Sequence, residues 1–526
     1  MKLVSMTIEN FRRYKKKVEI QFNNLTAFVG INDIGKSTIL EALDLFFNDG
    51  DGVIKKDNLD INIDNLSLGN NEIVISACFN DIPEKILIDT NVETTLEQEY
   101  MLNSKGELEI VRKWKGKNKS SIYIKANHPT NTNCTNLLSN KKQDLQKIID
   151  KYNIPCTNKN VNSVMRIAIW HHFNQELDLQ EIELDISKED GKKIWDKLSN
   201  YLPIYSLFQS DRKNSDSDSE IQDPLKEAVK EFFKNDDIEI MLSQITNQVV
   251  DRLKGVSDRT LEKLREMDED IARSLDPKIP SASELKWADV FKSLSITGDG
   301  NIPINKRGSG VKRLILLNFF RAQAEEKAAN TNHVAVIYAI EEPETSQHSN
   351  NQIKIIHSLK EIAKSDNCQV IITTHSPNIV KELSFDDIWI VKKEGDSNIV
   401  RHVEPATLCY KSLNEVNYLA FDELSYEYHD ELYAHLEIMG KINDFFDCLP
   451  KKTYIQQGRN NRKSTKTRSI TLTEYIRHQI HHPENKLNTK FTMQELKESI
   501  ENMRRFIIDN ALYFSQDEQE SDRHLS

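Results

Sequence analysis

Long apolar runs are missing from this chain. No segment approaches the roughly 18 uninterrupted apolar residues that a membrane-crossing helix needs, so no membrane span is expected. The N-terminus lacks the apolar core of a secretory leader, and its alternation of apolar and polar residues reads as a strand. Paired cysteines are missing too. The six cysteines, Cys78, Cys134, Cys156, Cys368, Cys409 and Cys448, form no C-x-x-C pair. They read as isolated reduced thiols in a cytoplasmic protein. An excess of positive charge is also absent: the net charge of −12 argues against a surface coated in nucleic acid. At 526 residues the chain has ample length for a core and for roughly two to four structural units.

What is present is sharper. Gly30-Ile31-Asn32-Asp33-Ile34-Gly35-Lys36-Ser37-Thr38 fits the P-loop pattern G-x-x-x-x-G-K-[ST]. The stretch from Phe22 to Val29 ends in Ala27-Phe28-Val29 and reads as a buried strand. Ser37 to Leu43 opens a helix with apolar residues at helical spacing. A glycine loop between a strand and a helix is the context that confirms the motif. Its backbone N–H groups cradle phosphates at the helix N-terminus. The predicted ATP-binding set is Gly30, Asn32, Gly35, Lys36, Ser37 and Thr38. Lys36 reaches the β/γ-phosphates and Ser37 holds Mg²⁺. Asp33 stands where glycine is common and is expected to strain the loop.

The acidic half of the site lies far downstream. Val334 to Ile340 is an apolar run of the parallel-sheet type, and it ends in Glu341-Glu342-Pro343-Glu344. Glu341 is expected to orient the magnesium shell, and Glu342 to polarise the attacking water as general base. Gln369 to Thr374 gives another core strand, followed by His375, a candidate sensor of the γ-phosphate. The separation from Gly30 to Glu341 implies a large insertion within the nucleotide-binding unit. Gln209, in Leu207-Phe208-Gln209-Ser210-Asp211-Arg212, is a candidate glutamine loop by position.

Asn305-Lys306-Arg307-Gly308-Ser309-Gly310-Val311-Lys312-Arg313 precedes an apolar stretch, Leu314 to Phe320. It resembles a degenerate signature loop of ABC-type ATPases. That resemblance implies that Ser309 donates to the γ-phosphate of ATP held by a neighbouring subunit, with Gly308 and Gly310 allowing close approach. The alternative is a turn capping a core helix.

Met6-Thr7-Ile8-Glu9-Asn10-Phe11-Arg12-Arg13-Tyr14, the P-loop with Glu41-Ala42-Leu43, and Glu341-Glu342-Pro343-Glu344 together resemble the RecF/SMC/OLD branch of ABC ATPases over residues 1–395. The string from Leu202-Pro203-Ile204-Tyr205 through Ser210-Asp211-Arg212 to Gln222-Asp223-Pro224-Leu225 is similar to the PtuA family of ATPases of Septu anti-phage systems. The resemblance implies a bacterial defence ATPase using ATP and Mg²⁺. It also implies head-to-tail homo-oligomers and a partner nuclease of HNH type. The chain departs from the OLD branch after His375, where no acidic strand end with a D-x-D pair follows; an intrinsic Toprim nuclease is not expected. A RecF-like DNA repair ATPase is the alternative within the branch.

The expected fold class is α/β: an ABC-type ATPase head, a mixed sheet with a P-loop, carrying a helical insertion and a mostly α-helical C-terminal domain. The expected divisions are 1–130, an N-terminal lobe; 131–284, an insertion with the Gln209 segment and a helical arm; 285–400, a C-terminal lobe; and 401–526, the helical domain. Glu72 to Phe79 reads as a strand, and residues 130–200 show no clear pattern. From Pro224 to about Leu275 the pattern is helical, with Leu261, Leu264, Ile271 and Leu275 on one stripe. Residues 451–468 carry seven basic and no acidic side chains. They read as a mobile loop, either a contact for nucleic-acid phosphates or a solvated linker. Thr471 to Pro483 begins like a capped helix. Within it, Arg477 and His482 fit R-x4-H and resemble the motif of HEPN ribonucleases, which implies an ATP-gated ribonuclease as a further alternative. Arg477 and His482 lie about 140° apart on an ideal helix, and the reading favoured here is an interface.

Overall fold

The computed structural model describes residues 1–48, 56, 60–87, 93–115, 120–187, 189–208, 236–273, 275–278, 295–298, 302–303, 335–345, 348–365, 367–404, 406–408, 410–457 and 465–523. The chain divides into two compact bodies. The first comprises Met1–Phe28, Asp33–Thr374 and Lys393–Val400, and the second Val29–Asn32, His375–Lys392 and Arg401–Ser526.

The first body begins with β1 (Lys2–Glu9), β2 (Val18–Gln21), β3 (Leu25–Val29), helix α1 (Lys36–Asn48) and the short α2 (Ile63–Ser67). There follow β4 (Glu72–Asn80), the small pair β5 (Ile86–Leu87) and β6 (Glu93–Thr94), β7 (Leu108–Lys115) and β8 (Ser121–Pro129). The stretch from 130 to 208 resolves into α3 (Lys142–Tyr152), α4 (Asn162–His172), β9 (Leu179–Asp185), α5 (Glu189–Leu198) and β10 (Ile204–Phe208). Six strands form an antiparallel sheet in the order β2-β1-β4-β7-β8-β9. Its β8 buries alternate residues, Ile122, Ile124, Ala126 and His128, as the two-residue period of a strand with one covered face requires. Beneath it lie groups that burial makes costly unless they are paired. Arg166 grips Glu99 with two hydrogen bonds, 2.7 and 3.0 Å. His128 Nδ1 lies 2.8 Å from the Tyr100 carbonyl, and burial pushes this imidazole down to about 4.

A second sheet places β10, β14 (Val336–Glu341), β15 (Cys368–Thr374) and β3 side by side. β14 runs parallel to both β10 and β15. Every residue of β3 and β15 is buried, the signature of a strand covered on both faces. Helix α1 buries Ile39, Leu40, Leu43 and Phe46. Tyr205 of β10 fixes it in place: the phenol donates to the Leu40 carbonyl at 2.6 Å, and the ring stacks on Phe47 with centroids 5.5 Å apart. The Gln369 side-chain amide ties the two sheets. Gln369 accepts from Leu3 N–H and donates to Leu3 C=O, both at 2.9 Å, where β1 bulges away from β4.

Between β10 and β14 the described chain contains α6 (Asp236–Met267), α7 (Glu269–Arg273) and a small antiparallel sheet of β11 (Leu275–Lys278), β12 (Ser295–Gly298) and β13 (Ile302–Pro303). The helical reading holds from Asp236, and Leu264 is buried. Leu275 departs from it by opening β11. Leu275 pairs with Gly298 of β12, and Pro277 bars a helix from continuing here, since it cannot donate into one and disfavours helical geometry at Asp276. After β14 come α8 (Ser349–Ala363) and, beyond β15, α9 (Pro377–Glu382), β16 (Ile388–Glu394) and β17 (Ser397–His402).

In the second body, α10 (Leu413–Phe421), α11 (Tyr426–Ile438) and α12 (Ile442–Asp447) precede a hairpin of β18 (Lys451–Gln457) and β19 (Thr465–Thr471), then α13 (Leu472–His481) and α14 (Met493–Arg523). Leu496, Ile500, Met503 and Ile507 recur at helical spacing along α14. They pack with Tyr428, Leu432, Leu436, Phe445 and Ile476 into one core. Ser412, Ser425 and Thr471 cap α10, α11 and α13, the last through a full capping box with Glu474. The expected α/β class with a largely helical C-terminal region is therefore present. The segment read as a mobile loop is corrected: 451–457 and 465–471 are paired strands, Tyr454 opposite Arg468. Buried Tyr454 and Ile470 pack against Tyr475 and anchor the hairpin. Among the described residues, no helix is long and apolar enough to cross a membrane.

Candidate nucleotide-binding site

The glycine loop joins β3 to α1, as its pattern requires. Lys36 is the first residue of α1 and only 4% exposed. Burial pushes its ammonium below the usual lysine value, while Glu342, Glu344, Asp33 and Glu341, in decreasing order, pull it back up. A lysine so placed suits a polyanion that supplies its own negative charge. Ser37 donates its hydroxyl to Glu341 at the end of β14. That contact joins residues 304 positions apart and brings the two motifs into one place. Thr38 is buried in the first turn of α1.

The carboxylates are held by the neighbouring strand. Glu341 stands opposite Thr373 of β15. Glu342 adopts a left-handed backbone, φ 42°, a region that non-glycine residues rarely occupy. Its N–H bonds the Thr373 carbonyl at 3.0 Å, which fixes the conformation, and Thr345 donates to its carboxylate at 3.3 Å. Backbone strain at a residue whose side chain faces a charged site accords with a functional role. Glu344 is buried and accepts from Thr374 at 2.6 Å. Asp33 also lies in the left-handed region, φ 59°. Aspartate tolerates that geometry better than most side chains, so the loop accepts it where glycine would be easiest.

Ser37 and Glu341 supply hard oxygen donors that fit Mg²⁺. Among the described residues no group of three or more His, Cys, Asp or Glu could hold a metal ion. Mg²⁺ needs no such cage, since water and phosphate oxygens complete its shell.

Gly30, Asn32 and His375 belong to the second body by the division above. Gly30 and Asn32 lie in the loop, and His375 is the residue after β15. Gln209 and Ser309, with the whole segment 305–313, lie outside the described residues. Arg13, Tyr14 and Asn398, to which the motifs assign no role, contact the glycine loop. Arg13 and Tyr14 sit inside a recognisable N-terminal string. Asn398 carries no local signal at all.

The Arg477 and His482 pair comes out differently. Arg477 lies over the Tyr433 ring at 3.6 Å and pairs with Glu437 at 3.2 Å, both on α11. His481 faces Asp430 of the same helix at 3.2 Å. His482 ends α13 and stands 3.3 Å from Glu484. The two motif residues therefore address different carboxylates.

A family model described as AAA ATPase domain matches residues 1–380. An OLD nuclease of Thermus scotoductus is 28% identical over 160 residues, 30% of this chain and 28% of that protein. Endonuclease GajA of Bacillus cereus strain VD045 is 22% identical over 405 residues, 76% of this chain and 59% of that protein. The chain thus spans less than two thirds of the length of these curated relatives. Among solved structures, the SMC head domain from Thermotoga maritima aligns with 77% of this chain and 100% of its own, at 12% identity and a TM-score of 0.34.

Proposed function

This chain belongs to the AAA ATPase domain family, and we propose that it binds Mg·ATP and hydrolyses it as an ABC-type ATPase of the OLD branch, most like the PtuA ATPase of a Septu anti-phage system. The observation that carries the nucleotide reading is the Ser37–Glu341 contact beside buried Lys36. Lys36 binds the β/γ-phosphates, and the loop's N–H groups orient them. Glu342 takes the proton of the attacking water, and His375 senses the γ-phosphate. Ser37 would hold Mg²⁺ and Glu341 would orient its shell, and the ion would supply charge neutralisation for the phosphates. Slow turnover suits a switch. The ATP state would set a head-to-tail assembly in the cytoplasm, with Ser309 of one subunit completing the site of another, and the assembly would restrain or license a nuclease partner of HNH type. The relatives' names, an OLD nuclease and an endonuclease, support the link to nucleic-acid cleavage. Exposed Lys466 and Arg468 on β19 are the surface this reading assigns to nucleic-acid phosphates.

The test is calorimetric titration of Mg·ATP. Lys36→Ala should weaken binding by roughly 100-fold, since a hydrogen-bonded charge at the phosphates is worth up to about 3 kcal/mol. Equal affinity in both proteins would sink the assignment. Turnover per subunit should rise with protein concentration if the site is shared between subunits; constant turnover would remove the assembly from the proposal.

A further inference from the structure

Three successive carbonyls of the glycine loop are each held by a side chain from elsewhere in the first body. Asp33 C=O accepts from Arg13 Nη1 at 2.5 Å, Ile34 C=O from Asn398 Nδ2 at 2.5 Å, and Gly35 C=O from Tyr14 Oη at 3.0 Å. Each carbonyl shares a planar trans peptide with the next N–H, and the two point in opposite directions. Holding these carbonyls on one side turns the N–H groups of Ile34, Gly35 and Lys36 toward the other. Convergent backbone N–H groups are what a phosphate-binding loop needs.

The holders are themselves fixed. Arg12, φ 48°, turns the chain after β1 and ties it to α1 and to the segment before α2 through Glu41 and Asp60. Phe11 and Tyr14 exchange backbone hydrogen bonds across that turn at 3.1 and 2.9 Å. Tyr14 is buried, which pushes its phenol up and keeps it a donor. Asn398 of β17 is buried, and its N–H bonds the Arg13 carbonyl at 3.2 Å, so the holders are linked to one another. The approach is close enough to dictate sequence. A Cβ on Gly35, φ 95°, would stand 2.4 Å from Asn398 Nδ2. Gly35 is thus required by its backbone angle and by this amide.

We propose that Arg13, Tyr14 and Asn398 are positioning residues for phosphate binding, a clamp that fixes the loop's carbonyls so that its N–H groups face the nucleotide. The proposal rests on the reading of the loop as an ATP site. Tyr14→Phe removes one hydroxyl and keeps the buried ring; Asn398→Ala removes the amide. Each should weaken Mg·ATP binding about three- to tenfold, the value of one hydrogen bond, and should raise KM more than it lowers kcat. Thermal melting is measured alongside. Wild-type ATP affinity in both variants, whether or not the melting temperature falls, would overturn the clamp and leave the bonds merely structural. Should Asn398→Ala fail to fold, Tyr14→Phe decides alone. Binding lost in Lys36→Ala but unchanged in the clamp variants rejects the clamp only, whereas a wild type that binds no ATP rejects the nucleotide reading itself.

Discussion

At the end of β14, Glu341, Glu342 and Glu344 gather near one buried lysine, and their partners come from α1, β15 and the loop after β14. Arg477 and His481 of α13, and His482 that caps it, face Glu437, Asp430 and Glu484. Both regions hold cations and carboxylates. In the first they converge from distant parts of the chain, and a strained backbone holds one of them. In the second, Arg477 and the histidines face separate carboxylates of α11 and of the turn after α13. Convergence leaves chemical capacity for a ligand. Pairing leaves packing and surface charge.

That contrast can be broken by mutation. The largest effect is expected in the convergent site. Glu342→Gln keeps the size of the side chain and removes only the base, so ATP binding should persist while turnover falls by roughly 100-fold or more, the usual contribution of a general base. A single-turnover assay separates the two; loss of binding with the rate would show that Glu342 holds the site together instead. In the paired region, Arg477→Ala should cost about 1 kcal/mol of stability, since it loses a cation–π contact and a half-exposed ion pair. ATP affinity should not change. Chemical denaturation checks the first, and a large drop in ATPase rate without destabilisation would mean that the region does more than pack.

A smaller effect concerns pH. His429 is buried on α11, its Nε2 3.0 Å from Ser499 Oγ. Burial lowers its pKa, with Asp430 pulling upward and Arg477 and His481 pushing down. The folded state therefore takes up a proton less readily than the unfolded one. The stability this gives is complete above the unfolded value near 6.5 and declines as pH falls below it. His429→Gln should flatten that decline between pH 7 and 5; an unchanged slope would place the titration elsewhere. The smallest effect is expected from His482→Ala, within about 0.5 kcal/mol for an exposed side chain. RNA cleavage by the isolated wild type, lost in this variant with stability unchanged, would reverse the contrast.

The sequence showed the convergent site because its chemistry demands fixed local spacing. Lys36 and Ser37 must follow a glycine loop, and Glu341 and Glu342 must end a buried strand. Both demands leave a pattern in a single sequence. Asn398 left none, because its task is set by the spatial approach of β17 to Gly35 rather than by its neighbours in the chain. The hairpin at 451–471 was missed for a related reason. Its strands are largely Thr, Lys, Arg, Ser and Gln, with few apolar side chains to mark a period of two. Of their described residues only Tyr454, Ile470 and the capping Thr471 are buried. The R-x4-H string shows the limit of spacing alone: Arg477 pairs with Glu437 and His482 with Glu484.

The glycine loop and the strand-end carboxylates should behave as one magnesium-dependent nucleotide site. The direct measurement is ATP affinity, by calorimetry, with Mg²⁺ and with chelator, in wild type and Glu341→Gln. Mg²⁺ should tighten ATP binding in the wild type, and Glu341→Gln should lose most of this gain while retaining metal-free binding through Lys36. Full magnesium enhancement in Glu341→Gln would contradict it.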